Sequence, residues 1–271
     1  MDFISFVKRY IPTNFRRRLT APYWWWYNRA SHQFAAFLDP RRRKSIARIE
    51  SFRNKHRGER CFILGNGPSL KKTDLSLLRN EITFGMNRIY LLYPQIGFST
   101  SYYLAINTLV IKQCANEIMD LDIPRFVCWR GRQWLREDPS ILYLDTDYTP
   151  PPTFSTDVSG RVFEGSTVTY AALQLAYHMG FEEVILIGVD HSFTTQGKPN
   201  VTVISDGDDP NHFSAEYFGK GFQWQLPDLE ASEQAYRMAL EAYEASGRRV
   251  LDATIGGKLD VFPKANYENL F

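Results

Sequence analysis

The sequence predicts an α/β fold in which a mainly parallel sheet is flanked by helices. Short apolar runs of strand length alternate with longer segments whose apolar residues recur at helical spacing. The first run, Phe62–Leu64, leads directly into Gly65–Ser69, which is the pattern of a strand, a glycine turn and a helix start. Long apolar faces at Thr167–Met179 and Leu229–Ala245 predict two helices. Together these features predict a Rossmann-like arrangement.

The predicted elements follow one another from residue 58 onward and form one domain over residues 58–271. Strands are predicted at Cys61–Leu64, Ile82–Gly85, Tyr102–Ile106, Arg125–Trp129, Ile141–Leu144, Glu183–Ile187 and Arg249–Leu251. Two further helices are predicted at Ser69–Arg79 and Leu109–Met119. The connection Gly188–Phe222 is long and rich in Gly, Asp, Asn and Pro, which is typical of a functional, lid-like loop.

The composition fits a globular protein in a reducing compartment, which we expect to be the cytoplasm. Of the 271 residues, 44% are hydrophobic, enough for a sizeable core. The three cysteines form no Cys-x-x-Cys pair, which argues against a disulfide framework or a zinc site. No apolar run approaches the roughly 18 residues needed to cross a bilayer. Residues 1–10 are too short and too polar for a signal peptide.

Residues 1–57 are predicted to form a basic, aromatic-rich N-terminal extension. They hold 14 Lys/Arg against 3 Asp/Glu, whereas the remaining residues hold 18 against 27. The aromatic group Tyr23–Tyr27 lies between the charge runs Arg16–Arg18 and Arg41–Lys44, and Ser45–Arg57 is predicted to be a charged helix. Tryptophan beside arginine is typical of a segment on an anionic membrane, here the inner face of the plasma membrane. Alternatively, the extension packs on the body or on a second subunit of a homo-oligomer. Nucleic-acid binding is disfavoured, because no known module is recognisable.

Polar residues gather where the predicted strands end, the edge at which open α/β sheets bind ligands. Gly65 and Gly67 permit a sharp turn and a close approach of a ligand to the backbone. Ser69 lies in a first helical turn whose free amides would attract a phosphate. An ordinary strand-to-helix turn has the same pattern.

Three successive strands end at asparagines, which are Asn66, Asn87 and Asn107. A neutral amide matches a base edge or a ribose hydroxyl better than it matches a metal ion, although a single such asparagine is commonly a turn former. The start of the Thr167–Met179 helix, with Gly165, Ser166 and Thr167, is a second candidate phosphate site. Helix capping explains the same residues.

Two histidines of the long connection are candidate general bases. His191 directly follows Asp190 at the end of a buried strand, and His212 follows Asn211 some twenty residues later. An imidazole can take a proton from a hydroxyl nucleophile near neutral pH and release it later. His178, on an apolar helix face, is predicted to be structural.

The acidic turn with Asp206, Asp208 and Asp209 is expected to be solvated. A calcium loop of the EF-hand type would need a bidentate glutamate at the position of Tyr217. We therefore expect no metal at this turn.

These residues resemble bacterial sialyltransferases that use CMP-sialic acid. The matching segments are Gly65–Leu70, Asn87 with its flanking Phe84 and Tyr90, Asn107, Gly165–Asp190 and Asn211–His212, in the same order and at similar spacing. The same signature resembles the hydroxymethylpterin-diphosphokinase-like (MptE-like) domain, which also occurs in flagellin-modifying motility-accessory proteins.

The sialyltransferase resemblance implies inverting transfer of a nonulosonic-acid-type sugar from a CMP-activated donor to a glycan or protein-glycan hydroxyl, without metal or cofactor. It implies that Asn66, Asn87 and Asn107 hold the CMP moiety, that Ser166 lies near the nucleotide and that His212 is the general base. The resemblance also implies two tyrosines after a Gly-x-Asp turn, which in this chain is Gly188–Asp190. These tyrosines stabilise the departing phosphate. Residues 191–198 contain none, and the candidates to replace them are His191, Lys198, Tyr217 and Lys220.

Two other functions remain open at this stage. A magnesium-dependent diphosphokinase of the hydroxymethylpterin type gathers carboxylates around the metal and the triphosphate. Resemblance to those pterin enzymes implies aspartates after the second and third strands. This chain has Gly85–Asn87 and Ala105–Asn107 at those positions. The neutral asparagines favour glycosyl transfer over diphosphoryl transfer. The third function is that of a non-catalytic, nucleotide-sugar-binding scaffold anchored by the extension.

Overall fold

The computed structural model describes residues 38–148, 153–195 and 197–271. Its strands are β1 Arg60–Leu64, β2 Thr83–Met86, β3 Tyr102–Ala105, β4 Arg125–Cys128, β5 Ile141–Asp147, β6 Arg161–Phe163, β7 Glu183–Ile187, β8 Thr202–Ile204, β9 Gln223–Gln225 and β10 Arg249–Asp252. Eight of them form one sheet in the order β10-β7-β1-β2-β3-β4-β5-β6, with every neighbouring pair parallel. Strands β8 and β9 pair separately as an antiparallel ribbon.

The central strands are buried, which explains why they are continuous apolar runs. Every residue of β2, β3 and β4 is buried, and β1 and β7 expose only their first residues in part. The structure therefore confirms the predicted α/β fold, a mainly parallel Rossmann-like sheet flanked by helices.

The helices of the described residues are α1 Pro40–Glu50, α2 Tyr93–Ile96, α3 Thr108–Gln113, α4 Ala115–Met119, α5 Val168–Met179 and α6 Leu229–Ala245. Short 3-10 helices lie at Pro68–Lys72, Leu75–Leu78, Ile89–Leu92, Trp129–Trp134 and Tyr267–Leu270. No helix among these residues is both long enough and apolar enough to cross a membrane.

Helix α5 packs across the sheet and explains the strongest apolar pattern in the sequence. It contacts β1, β2, β3 and β6, and α6 packs on it. Ten of its 12 residues are buried. The Thr167 side chain accepts a hydrogen bond from the Thr169 amide at its start, and Gly180, with a φ of 91°, ends it. The predicted helix Leu229–Ala245 is confirmed at the same bounds.

The segment predicted as a helix at Ser69–Arg79 instead forms two short 3-10 helices. Thr73 takes an extended backbone conformation between them, and its hydroxyl donates to the Ser69 carbonyl. The Asp74 side chain then accepts from the Ser76 amide and starts the second turn. These local bonds from short polar side chains compete with a continuous helix.

The segment predicted as one helix at Leu109–Met119 is divided at Cys114. The backbone of Cys114 is non-helical, and α3 and α4 each bury apolar residues on either side of it. The buried Arg125 guanidinium donates to the carbonyls of Ile118 and Met119, which stabilises the end of α4.

The sheet also extends beyond the predicted strands. Strand β5 continues to Asp147, and β6, which was not predicted, pairs with its end. The long connection contains β8 and leads into β9, so part of it forms the antiparallel ribbon.

The described end of the predicted extension, residues 45–57, is built into the body. The predicted helix Ser45–Arg57 ends at Glu50. Beyond it the His56 ring stacks on Phe181, with centroids 4.7 Å apart, and the Asn54 amide donates to the His178 carbonyl. Residues 1–37, which include the aromatic group at 23–27, lie outside the described residues. A separate role for residues 1–57 stays a prediction.

Candidate functional site

The glycine turn after β1 is held against the turn after β7 by backbone contacts. The Gly65 amide donates to the Ile187 carbonyl at 2.7 Å, and the Gly67 amide donates to the Gly188 carbonyl at 2.9 Å. A Cβ at Gly65 would lie 2.2 Å from the Gly188 oxygen, so a larger residue cannot occupy this position without displacement of the turn. The two turns therefore form one rigid backbone unit at the carboxyl edge of the sheet.

Asp190 completes this unit with its side chain. Its carboxylate accepts from the Ser69 amide at 3.1 Å and from the Ser69 hydroxyl at 2.6 Å. A Cβ on Gly67 would lie 1.8 Å from the Asp190 carboxylate, so Gly67 is also required by packing. The structure thus brings together Gly65, Gly67, Ser69 and Asp190. The Ser69 amide is bonded to Asp190 rather than free for an anion.

Two of the three strand-end asparagines have side chains with unused hydrogen-bonding capacity. The side-chain oxygens of Asn66 and Asn87 are buried, and neither has a hydrogen-bond partner among the described residues. Asn87 also has a φ of 51°, in the left-handed region. Unpaired buried polar atoms and strained backbone are both costly, and they concentrate at ligand sites.

The third asparagine, Asn107, has a structural contact as well. Its side-chain oxygen accepts from the Leu109 amide at 2.9 Å and caps α3. Its amide nitrogen lies 3.5 Å from the Gln225 side-chain oxygen on β9. Asn107 therefore joins the end of β3 to the ribbon, and its oxygen is already used.

The segment before α5 has the backbone of a tight, strained turn. Gly165 and Ser166 have φ values of 52° and 60°. A Cβ on Gly165 would lie 2.4 Å from the Tyr170 ring, which explains the glycine. The Thr167 hydroxyl caps α5 and lies 3.3 Å from the Tyr236 hydroxyl on α6, while Ser166 is exposed at the helix N-terminus.

His212 is paired with a buried carboxylate. Its Nδ1 lies 2.6 Å from Asp209 Oδ2, and Asp209 also accepts from the amides of Asn211 and Phe218. Asp209 is 8% exposed, so the prediction that this acidic turn is solvated was wrong for Asp209. Its hydrogen bonds explain the burial, since a buried carboxylate requires partners.

These contacts also determine the chemistry of the pair. Burial raises the pKa of Asp209, but the hydrogen bonds from His212 and the two amides outweigh burial and leave the pKa below its usual value. Asp209 is thus a carboxylate, and His212 Nδ1–H donates to it. In the neutral ring with this tautomer, the second ring nitrogen, Nε2, carries the lone pair that a general base needs.

The loop around His212 is held by aromatic packing and by bonds to the strand ends. The His212 ring stacks on Tyr217, with centroids 4.0 Å apart, and packs edge-on against Phe218 at 4.9 Å. The Phe213 amide donates to the Asn66 carbonyl at 3.0 Å, which joins this loop to the glycine turn. The Arg88 guanidinium donates to the carbonyls of Glu216 and Tyr217.

Asn211 and His191 have other partners. Asn211 is buried, and its side chain is bonded to the amide of Thr194 and the hydroxyls of Thr194 and Thr195, so it holds the loop. His191 has a φ of 51°, and its Nε2 lies 3.0 Å from Glu233 Oε1 on α6. The two predicted bases therefore differ in setting. His212 lies on the loop that is bonded to Asn66 of the glycine turn, whereas His191 contacts α6.

The candidates to replace the missing tyrosines also differ in how exposed they are. Tyr217 is buried behind His212, whereas Lys198 and Lys220 are exposed. Lys220 and Arg88 line a cavity of about 520 Å³, together with Gln113, Cys114, Glu117 and Phe222. Arg88 directly follows Asn87, so this cavity lies beside the end of β2.

A charged pair that the sequence analysis did not identify lies next to Gly165. The Arg130 guanidinium, from the turn after β4, pairs with Glu164 and lies 4.9 Å from the centroid of the Tyr148 ring. Burial raises the pKa of Glu164, and Arg130 opposes the shift without removing it. Glu164 directly follows β6. Because the sequence did not predict β6, it did not place Glu164 at a strand end.

Comparison with known proteins identifies the family. The family described as 6-hydroxymethylpterin diphosphokinase MptE-like matches residues 41–196, more than half of the chain. The chain belongs to this MptE-like family. That result confirms the MptE-like part of the resemblance found in the sequence.

One solved structure similar to this MptE-like chain is the Maf glycosyltransferase from Magnetospirillum magneticum AMB-1, at a TM-score of 0.50 and 14% sequence identity. The match covers 85% of this chain and 39% of that one, so this chain spans well under half of that enzyme's length. The likeness concerns the fold alone. No curated protein matches the chain.

Proposed function

We propose that this MptE-like protein is an inverting glycosyltransferase that moves a nonulosonic-acid-type sugar from a CMP-activated donor to a glycan or protein-glycan hydroxyl. The observation that carries the proposal is the His212–Asp209 pair, on a loop bonded to Asn66 of the glycine turn. A base held in this way lies next to the residues proposed to bind the nucleotide. The fold shared with the Maf glycosyltransferase supports the same reaction class.

In the proposed reaction the acceptor hydroxyl attacks the anomeric carbon of the donor sugar. The new carbon–oxygen bond forms as the bond to the phosphate breaks, and CMP leaves with the electron pair. His212 Nε2 takes the hydroxyl proton, and the Asp209 carboxylate stabilises the imidazolium that forms. The aromatic packing around His212 keeps the ring in place and excludes water, which otherwise competes as acceptor.

We assign the nucleotide to Asn66 and Asn87, with Asn107 at the edge of the site. The unpaired side-chain oxygens of Asn66 and Asn87 offer acceptors to a base or a ribose, and the amide nitrogens of the same side chains can donate. Ser166 is exposed just before the start of α5, a position that suits the phosphate. Lys220, at the cavity beside Asn87, is the proposed replacement for a phosphate-stabilising tyrosine.

A diphosphokinase is the second candidate, and the description of the matching family favours it. Such an enzyme needs carboxylates that are free to hold magnesium and a triphosphate. Here the strand ends carry Asn87 and Asn107, while Asp190 is bonded to Ser69 and Asp209 to His212. This arrangement supports glycosyl transfer.

Calorimetric titration of the full chain with CMP, ATP and GDP, each with and without Mg²⁺, separates the candidates. The transferase predicts CMP-selective binding that does not depend on Mg²⁺, followed by release of CMP from CMP-sialic acid when an acceptor is added. ATP binding that requires Mg²⁺ supports the diphosphokinase. Binding of CMP with no transfer from any CMP-sugar supports a scaffold, and binding of no nucleotide contradicts the assigned site.

We further propose that the basic extension brings the protein to an anionic membrane on the cytoplasmic side. The support is the balance of 10 cationic to 2 anionic side chains in residues 1–44, beside a dense aromatic group. Replacing Arg16, Arg17 and Arg18 with glutamate in the full chain should abolish sedimentation with phosphatidylserine vesicles. Unchanged sedimentation, or a changed oligomeric state in solution, supports packing of the extension instead.

A further inference from the structure

A second polar cluster lies at the opposite edge of the sheet from the candidate active site. Its members are His178 near the end of α5, Glu50 at the end of α1, and Asp157 in the segment before β6. Helix α5 starts beside Ser166 at the carboxyl edge of the sheet and runs 12 residues, about 18 Å, before the chain enters β7. One ligand atom from each of the three side chains lies within 4.8 Å of the others.

The histidine in this cluster is buried and oriented. His178 is 2% exposed, and its Nε2–H donates to the Ile49 carbonyl at 3.1 Å. That bond leaves the lone pair on Nδ1, which is buried without a hydrogen-bond partner among the described residues. Nδ1 points toward Asp157, whose Oδ1 lies 3.6 Å away. A histidine that donates one ring nitrogen to a backbone carbonyl and directs the other at carboxylates has the arrangement of a metal ligand.

The charges of the cluster also favour a cation. Arg53 pairs with Glu50 and with Asp157 Oδ1, which also accepts from the amide and hydroxyl of Ser159. One guanidinium against two carboxylates leaves the cluster with a net charge of −1. A neutral imidazole is the form that binds a metal, and burial, which lowers the pKa of His178, favours that form. The Arg53 side chain is 35% exposed and can turn toward solvent.

We propose that His178, Asp157 and Glu50 bind a divalent cation of the zinc type, which joins α1 and the segment before β6 to α5. One nitrogen and two carboxylate oxygens are ligands that zinc accepts, with water in the fourth position. Ligands at about 2.0–2.2 Å from a tetrahedral ion lie about 3.3–3.6 Å apart. His178 Nδ1 and Asp157 Oδ1 already lie 3.6 Å apart, and the ligand atoms, which all lie within 4.8 Å of one another, have to approach by at most about 1.5 Å. The site is structural and lies apart from the proposed chemistry.

Thermal unfolding of the full chain without a histidine tag, in ZnCl₂, MgCl₂ or CaCl₂, tests this site. At a zinc concentration about 100 times the Kd, the Tm should rise by about 5–10 °C, and equal magnesium or calcium should not raise it. Asp157→Asn and Glu50→Gln should each weaken zinc binding at least tenfold. Asp206→Asn, which removes an exposed carboxylate elsewhere, is the matched control.

Two further variants keep the test decisive. Arg53→Gln removes the competing cation and should tighten zinc binding several-fold. His178→Gln, provided it keeps its metal-free Tm, should abolish the visible absorption that Co²⁺ gains from a nitrogen ligand. No zinc shift in either the wild type or Arg53→Gln would overturn the proposal, because the cluster would then be an ion-pair network. A zinc shift that survives in Asp157→Asn and Glu50→Gln would also overturn it, since the metal would then bind elsewhere.

Discussion

The glycine turn and the His212 loop meet at Asn66, yet they are held in different ways. The turn is fixed mostly by backbone amides and carbonyls, together with the Asp190 carboxylate, at distances that leave no room for a Cβ. The loop is held mostly by side chains, namely the Asp209 carboxylate, the aromatic group around Tyr217 and the Arg88 guanidinium. Substitutions in the turn should therefore damage the fold, whereas substitutions in the loop can remove chemistry and leave the fold intact.

The first way to test this contrast is Gly67→Ala. Its Cβ would overlap the Asp190 carboxylate and break the Ser69–Asp190 bonds, so we expect a loss of about 1–3 kcal/mol or more in the free energy of unfolding. Urea denaturation measures the effect. Gly207→Ala is the matched control, because a Cβ there has open space and the residue has no positive φ. Equal stability of the two variants would contradict the account of the turn.

The second prediction concerns Asn87, one of the two strand-end asparagines whose side-chain oxygen has no partner among the described residues. Asn87→Gly should weaken CMP binding about tenfold, because it removes an amide proposed to bond the nucleotide. Glycine is the appropriate replacement because it tolerates the φ of 51°, whereas alanine would add strain. Calorimetry measures the affinity. An unchanged Kd would exclude Asn87 from the nucleotide site.

The third prediction concerns Asp209 and pH. Because the pKa of Asp209 is lower in the folded protein than in the unfolded chain, its carboxylate adds stability above about pH 4. This contribution is lost as the pH falls through the folded-state pKa. The unfolding free energy of wild type should thus exceed that of Asp209→Asn more at pH 7 than at pH 3. A difference that does not change with pH would contradict this prediction.

The backbone-held region is the part that the sequence predicts well. The turn is identified by an apolar strand run followed by two glycines and a serine. Each of these residue types is favoured by the local backbone conformation at its position. The strand-end asparagines follow from the same argument. The sequence does not show which of these asparagines already has a hydrogen-bond partner, since the capping of α3 by Asn107 depends on where that helix starts.

The side-chain-held region is the part that the sequence predicts poorly. The aromatic group around His212 has no helical or strand period, so burial of Asp209 could not be inferred from its acidic neighbours. The three-residue spacing between Asp209 and His212 is a signal that could have suggested the pair. Strand β6 is only three residues long, and without it Glu164 was not assigned to a strand end.

The proton-transfer role of His212 is the central claim, and turnover of His212→Ala tests it most directly. With a CMP-sugar donor and a glycan acceptor, this variant should lose about 10² to 10⁴ in turnover, because the acceptor hydroxyl loses its base. The Kd for CMP should stay close to that of wild type, whereas the Tm should fall, because the buried Asp209 loses its His212 partner. His191→Ala, which removes the histidine paired with Glu233 on α6, should keep most of its turnover. Full turnover of His212→Ala would contradict the account, and loss of turnover in His191→Ala would then identify His191 as the base.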